Sequence, residues 1–226
     1  MSEPLAILFD LDGTLVDTAP DLTAALNHTM ASLNLPLVPE ADVRHMVGFG
    51  ARRLIEQGIE AAGITFDDGE IEAALAIFLD WYRDHLADSS TPFPGVVAML
   101  DHFKHQGANM AVCTNKPQLM SDKLLEELGL HPYFSAVVGA DAVPNRKPHA
   151  DHIDATLAAM KASASRAIMV GDSMTDVNAA RNAGIPVVAV SFGYTAVPPS
   201  ELGADRLIDH MDDLPAAIEA VMGSTA

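Results

Sequence analysis

The sequence predicts an α/β protein: a parallel sheet with helices on both faces, interrupted near its start by an all-helical insertion. Three observations carry this reading. Short apolar runs alternate with amphipathic stretches, several of those runs end abruptly in Asp, Thr or Gly-Asp, and residues 16–90 show helical patterning without a clear strand. A β-α-β-α rhythm builds a parallel sheet, because parallel neighbours need a crossover, usually a helix. In such sheets reactive groups collect at the carboxyl ends of the strands.

The first apolar run, Leu5–Phe9, reads as a buried strand and ends in Asp10-Leu11-Asp12-Gly13-Thr14. The insertion follows, with helical patterns over Pro20–Leu33, Glu40–Val47, Arg52–Ala62 and Glu70–Leu86. Thr18 and Asp21 have capping-box spacing at its start, which makes the neighbouring Asp17 a structural residue. Pro92-Phe93-Pro94-Gly95 then stiffens the return to the sheet. Further strands are expected at Asn109–Cys113, Ala136–Gly139, Ala167–Val170, Val187–Val190 and Arg206–Ile208. Helices between and after them are expected at Val96–His105, Pro117–Leu128, Ala150–Met160, Asp176–Ala183 and Asp213–Val221. Residues 1–15 and 91–226 would form the core, and 16–90 a helical cap able to close over the first strand end and exclude water.

Composition narrows the function. With 226 residues, 49% of them hydrophobic, the chain can bury one large core with a smaller companion. Its formal net charge of −18 argues against nucleic acid and anionic membranes as partners. A phosphate-handling site in so acidic a chain must create its positive field locally, from a metal ion and one or two lysines. Cys113 is the lone cysteine, which excludes an internal disulfide and a thiolate zinc cluster and suits a reducing compartment. The first apolar run breaks at Asp10, too early for a signal sequence, and no stretch approaches the ~20 apolar residues of a membrane span. The expected setting is the cytoplasm.

Four segments carry chemistry. Paired acids at a strand end repel each other and resist desolvation, so Asp10 and Asp12 fit a nucleophilic carboxylate beside an acid/base carboxylate, close enough to share a divalent cation. Gly13 permits the sharp turn that follows. In Val112-Cys113-Thr114-Asn115-Lys116-Pro117, a hydroxyl and free backbone N–H groups could hold phosphate oxygens, or Thr114 or Asn115 could cap the next helix. Lys147, before Pro148, is either a compact charge for phosphate and nucleophile or a solvated loop residue. In Gly171-Asp172-Ser173-Met174-Thr175-Asp176, Asp172 could reach a metal beside Asp10, while Asp176 suits a helix start. Within the insertion, Arg52 follows a glycine-flanked turn and could offer its guanidinium fork to a substrate carboxylate or lie on a solvated face. The histidines show no metal-ligand grouping.

Together, in this order and at these strand ends, the four segments resemble the haloacid dehalogenase superfamily of phosphotransferases, from about residue 4 to residue 221. Within it the chain looks most like the bacterial phosphoglycolate phosphatase branch. That likeness rests on Phe9–Leu22, Thr114-Asn115-Lys116-Pro117, Val170-Gly171-Asp172-Ser173 and Val190-Ser191-Phe192-Gly193-Tyr194. One departure is that Lys147-Pro148 precedes His149-Ala150 rather than a residue and a second Pro.

The resemblance implies a Rossmann-like core with an inserted cap and a Mg²⁺-dependent enzyme acting on a small phosphate monoester, 2-phosphoglycolate first, as a monomer or homodimer. It implies that Asp10 is the nucleophile, that Asp12 is the acid and base, and that Asp10, the Asp12 carbonyl and Asp172 hold the metal. Thr114, Asn115 and Lys147 would bind the phosphoryl group, with Asp176 orienting Lys147 or a metal-bound water. The alternatives are a phosphatase of another small monoester, such as a sugar or amino-sugar phosphate, and a sugar-phosphate mutase. A haloalkanoate dehalogenase needs no second Asp, so Asp12 counts against it.

Overall fold

The computed structural model of the protein describes residues 3–223. Six strands form a fully parallel sheet: β1 (Ala6–Phe9), β4 (Asn109–Cys113), β5 (Ala136–Val138), β6 (Ala167–Gly171), β7 (Val187–Val190) and β8 (Arg206–Ile208), in spatial order β5-β4-β1-β6-β7-β8. The expected α/β class and all six strands are present. The chain therefore starts in the middle of the sheet and works outward on both sides.

Strand alternation divides the core. Ile7, Phe9, Val112 and Val170 face one side, with helices α5 (Val96–His105) and α6 (Gln118–Glu127) and the C-terminal α9 (Leu214–Gly223) contributing to that cluster. Leu8, Ala111, Met169 and Ala189 face the other, against α7 (Ala150–Ala159) and α8 (Met174–Ala183). The central strands are buried on both faces, which is why they read as unbroken apolar runs rather than alternating ones.

Register aligns the reactive ends. Phe9 pairs with Val112 on one side and Val170 on the other. One or two residues on, the chain leaves the sheet at Asp10, Thr114 and Asp172, all on the same edge. The Asp10 N–H continues the ladder, donating to Val170 O at 2.9 Å.

Between β1 and the rest of the sheet lie α1 (Ala19–Ser32), α2 (Glu40–Val43), α3 (Ala51–Ala61) and α4 (Asp68–Asp84). The four expected helices are there, but the second stops at Val43 rather than Val47. A two-stranded antiparallel ribbon, absent from the sequence reading, joins the two ends of this segment: β2 (Val16–Asp17) with β3 (Thr91–Pro92). Two residues are too few to show a period of two, and Pro92 argues locally against a strand.

The expected Thr18/Asp21 capping box is not formed. Thr18 makes no side-chain cap, and the Asp21 carboxylate instead accepts from Ser89 N–H, Ser90 N–H and Ser90 Oγ, the last at 2.6 Å. Three donors at the far end of the insertion outcompete one local N–H. Asp21 thereby ties the first helix of the insertion to its exit. Among the described residues no helix is long and apolar enough to cross a membrane.

Candidate active site

Burial makes the strand-end cluster informative. Asp10, Lys147, Asp172 and Asp176 are all almost inaccessible to solvent. Lys147 Nζ lies 3.0 Å from Asp10 Oδ1 and 2.6 Å from Asp176 Oδ1. Two buried carboxylates thus share one ammonium, with a third, Asp172, close to both. Burial, then repulsion from Asp176 and Asp12, pushes the Asp10 carboxyl up to about 7 despite Lys147. Asp172 is raised well above the carboxylate range by burial first, then by Asp176 and Asp10. Burial opposes the Lys147 charge, but Asp10 and Asp176 more than offset it and lift its pKa above the usual lysine value.

Each acid is oriented from outside the cluster. Asp10 Oδ1 accepts from Leu11 N–H at 2.7 Å. Asp172 accepts from Thr14 Oγ1 at 3.1 Å and from Tyr194 N–H at 2.5 Å. Gly13 and Gly193 wall in its carboxylate so closely that a Cβ at either would collide with Asp172. Gly13, at φ +83°, also adopts the left-handed turn that separates Asp12 from Thr14. Asp176 does form a capping box: its Oδ2 accepts from Ser173 N–H at 3.0 Å and Ser173 Oγ at 2.6 Å, which leaves Oδ1 for Lys147.

Lys147 is held through its backbone. Its N–H donates to His152 Nδ1 at 3.2 Å, and its carbonyl accepts from Asn115 Nδ2 at 3.1 Å. His152 Nε2 in turn donates to Val138 O at 3.0 Å, so its ring is neutral, with both nitrogens used. Burial, then the Lys147 charge, lowers the His152 pKa to about 4.

Carboxylate oxygens of Asp10, Asp172 and Asp176 lie within 4.8 Å of one another and could hold a metal. The donor set fits a hard divalent cation: oxygen ligands, an excess of buried negative charge and a tightly walled carboxylate at Asp172. Asp176 joins this group by geometry, nearer the acids than a purely supporting position would require.

Asp10 and Asp12 also open on a cavity of about 40 Å³ whose walls include Leu22, Val47, Leu54, Phe78, Tyr82 and Met120. Thr114, Asn115 and Lys116 line it as well. Thr114 Oγ1 accepts from Lys116 N–H at 3.2 Å, leaving its proton to donate. Asn115 Nδ2 also reaches Gly48 O at 3.3 Å, while its buried Oδ1 has no partner among the described residues.

Of the residues expected in the site, the fold brings together Asp10, Asp12, Thr114, Asn115, Lys147, Asp172 and Asp176. Arg52 is not among them. On α3 its guanidinium is engaged by Glu56 at 3.0 Å, Asp68 at 2.7 Å and Glu72, and it borders not the Asp10–Asp12 cavity but a neighbouring groove that it shares with Phe49, Arg146 and the site residues Asn115 and Lys147. Acidic residues from its own helix and α4 claim the fork before a substrate can.

Two residues went unnoticed in the sequence. Lys116 is buried, with Nζ 3.0 Å from Asp12 Oδ1 and 2.5 Å from the Tyr82 hydroxyl. Its place beside Thr114 was a signal; Tyr82, on a helix far away in sequence, offered none.

Residues 7–190 match the family model described as haloacid dehalogenase-like hydrolase. A phosphoglycolate phosphatase of Caulobacter vibrioides is 50% identical over 96% of this chain and 92% of its own length, and one of Mesorhizobium japonicum is 45% identical over 95% and 94%. The crystal structure of a predicted phosphoglycolate phosphatase from Haemophilus somnus superposes with a TM-score of 0.87 at 30% identity, covering 96% of this chain and 98% of that one. The chain belongs to the haloacid dehalogenase-like hydrolase family, among its phosphatases.

Proposed function

We propose that this protein is a Mg²⁺-dependent phosphatase that hydrolyses 2-phosphoglycolate to glycolate and phosphate through an aspartyl-phosphate on Asp10. One observation carries the reading: Asp10 and Asp12 open together on a small, largely apolar cavity, with buried Lys147 behind Asp10. The names of the Caulobacter and Mesorhizobium relatives support the substrate.

Asp10, the Asp12 main-chain carbonyl and Asp172 would hold Mg²⁺, with Asp176 beside them. When bound, the ion supplies positive charge to offset the phosphoryl oxygens. The chain's own residues do the rest. An Asp10 oxygen attacks phosphorus in line, the phosphorus–oxygen ester bond breaks, and its electron pair leaves on the glycolate oxygen. Asp12 gives that oxygen its proton. Asp12 then takes a proton from water, whose oxygen attacks phosphorus, and the bond to Asp10 breaks to release phosphate. Lys147, the Thr114 hydroxyl and the Asn115 main-chain N–H neutralise and orient the phosphoryl oxygens throughout. Asp176 positions the Lys147 ammonium.

Residues 16–90 act as the cap. Leu22, Val47, Leu54, Phe78 and Tyr82 all come from that segment and cover the cavity. A cavity of about 40 Å³ has room for about three waters on the usual measure, which suits a two-carbon alcohol and disfavours a hexose phosphate unless the cap withdraws.

The test is phosphate release with Mg²⁺ from 2-phosphoglycolate, hexose 1- and 6-phosphates and an amino-sugar phosphate. The expected kcat/KM for 2-phosphoglycolate exceeds the others by at least ~10-fold. Equal or faster turnover of a hexose phosphate overturns the substrate, and full activity in Asp10→Asn overturns the nucleophile.

A further inference from the structure

A substrate carrying both a phosphate and a carboxylate needs two separate centres of positive charge, and Lys147 is committed to the first. It sits behind Asp10, bonded to Asp10 and Asp176. The residue expected to meet the carboxylate, Arg52, is held by three acids outside the cavity. Among the residues lining the cavity that Asp10 and Asp12 share, Lys116 is the one cation.

Its donors are set out for a second anion. A lysine ammonium has three N–H donors. One goes to Asp12 Oδ1 at 3.0 Å and one to the Tyr82 hydroxyl oxygen at 2.5 Å. The third has no acceptor among the described residues. Tyr82, accepting from Lys116, keeps its own O–H to donate, and burial together with Asp12 and Asp21 holds that proton firmly on the ring oxygen. The Lys116 charge also lies 4.5 Å from the centre of the Tyr82 ring, which fixes the two side chains against each other. Two unspent donors therefore stand side by side at the cavity wall, one from the core loop and one from α4 of the cap. A carboxylate, with two acceptor oxygens, matches that pair.

The distance to Asp12 fits as well. In 2-phosphoglycolate a single carbon separates the ester oxygen from the carboxyl group. The cation that reads the carboxylate must then lie within a few ångströms of the group that protonates the ester oxygen. Lys116 touches Asp12 directly, whereas Arg52 does not line the cavity at all. The apolar remainder of the wall offers a carboxylate no other charged partner.

We propose that Lys116 and the Tyr82 hydroxyl form the carboxylate-binding subsite and set the specificity of this enzyme for short phosphate esters that end in a carboxylate. The proposal rests on the phosphatase reading given above.

The test compares 2-phosphoglycolate with ethyl phosphate, which has the same two-carbon skeleton without the carboxylate, in the Mg²⁺-loaded wild type, Lys116→Gln, Lys116→Arg and Tyr82→Phe. The readout is the ratio of the two kcat/KM values, with circular dichroism on each variant. Wild type should favour 2-phosphoglycolate. Lys116→Gln should cut that preference by about 30-fold or more, as loss of a buried charged partner does, and Lys116→Arg should restore part of it. Tyr82→Phe, which keeps the ring and loses only the hydroxyl, should lower the ratio by several-fold, mainly through KM; it carries the test if Lys116→Gln does not fold.

An equal loss on both esters in Lys116→Gln would make Lys116 a support for Asp12 alone and overturn the subsite. So would an unchanged ratio in Tyr82→Phe alongside an unchanged ratio in Lys116→Gln, with wild type still preferring 2-phosphoglycolate. A wild type that hydrolyses both esters without preference overturns the substrate assignment and the subsite together. A wild type inert toward both, yet active on a hexose or amino-sugar phosphate, overturns the 2-phosphoglycolate reading and the subsite with it.

Discussion

Lys147 Nζ lies 3.0 Å from Asp10 Oδ1, with both side chains buried at the carboxyl end of the central strand. One ammonium is shared between Asp10 and Asp176 while Asp172 stands close by, so negative charge is left over in a place water scarcely reaches. That surplus suits a cation site and is costly without one.

The cost should be visible in the pH dependence of stability. The Asp10 carboxyl titrates at about 7 in the folded protein against 3.8 ordinarily. Between those values the folded state holds the extra proton, so rising pH favours unfolding. Without added metal, Asp10→Asn and wild type should be about equally stable near pH 4. By pH 8 the variant should be the more stable, by an amount on the order of a few kcal/mol. Urea unfolding at several pH values measures this, and Mg²⁺ should narrow the gap. A gap that does not widen with pH would show that Asp10 folds without penalty.

His152 should act in the opposite direction. Its ring is neutral in the fold down to about pH 4, whereas an unfolded histidine takes a proton near 6.5. The unfolded chain therefore binds more protons across that window, and stability falls as pH drops from 6.5 towards 4, by up to about 3 kcal/mol. His152→Gln, whose amide can still accept from Lys147 N–H and donate to Val138 O, should remove this contribution. If the variant keeps the wild-type slope between pH 6.5 and 4, the loss comes from elsewhere.

Arg52 should be dispensable for turnover. Its three carboxylate partners lie on α3 and at the start of α4, away from the cavity. Arg52→Ala is expected to leave kcat/KM for 2-phosphoglycolate within about twofold, since exposed ion pairs of this kind contribute little. A rise in KM of tenfold or more would return Arg52 to the substrate.

The difference between Arg52 and Lys116 shows where sequence reading runs out. Both are basic residues at a helix start, Arg52 in the first turn of α3 and Lys116 just ahead of α6. What separates them is which acids lie nearby once the chain has folded: Glu72 and Asp68 for Arg52, Asp12 and the Tyr82 hydroxyl for Lys116. These partners come from sequence separations of 16 to 104 residues, beyond the reach of any local pattern. Asp21 makes the same point. Its spacing from Thr18 suited a local cap, yet Ser89 and Ser90 took the carboxylate from the far end of the insertion.

What the chain determined by itself was the sheet, the helical interruption and the acids at the strand ends. Apolar runs buried on both faces can be read residue by residue, and a charge that ends such a run needs a reason to be there. Asp10, Asp12 and Asp172 were legible on those grounds, whereas Thr114 and Lys147, each open to a local capping or loop role, entered the site only through the resemblance of the four segments taken together. Only the tertiary structure decided that Asp176 stands with Asp10 and Asp172, that Gly193 and Tyr194 hold Asp172 in place, and that a lysine beside Thr114 meets a tyrosine from the helical insertion. Hydrogen bonds and ion pairs depend on distances of a few ångströms, and parallel-sheet crossovers bring distant segments within that range in ways that periodicity does not record.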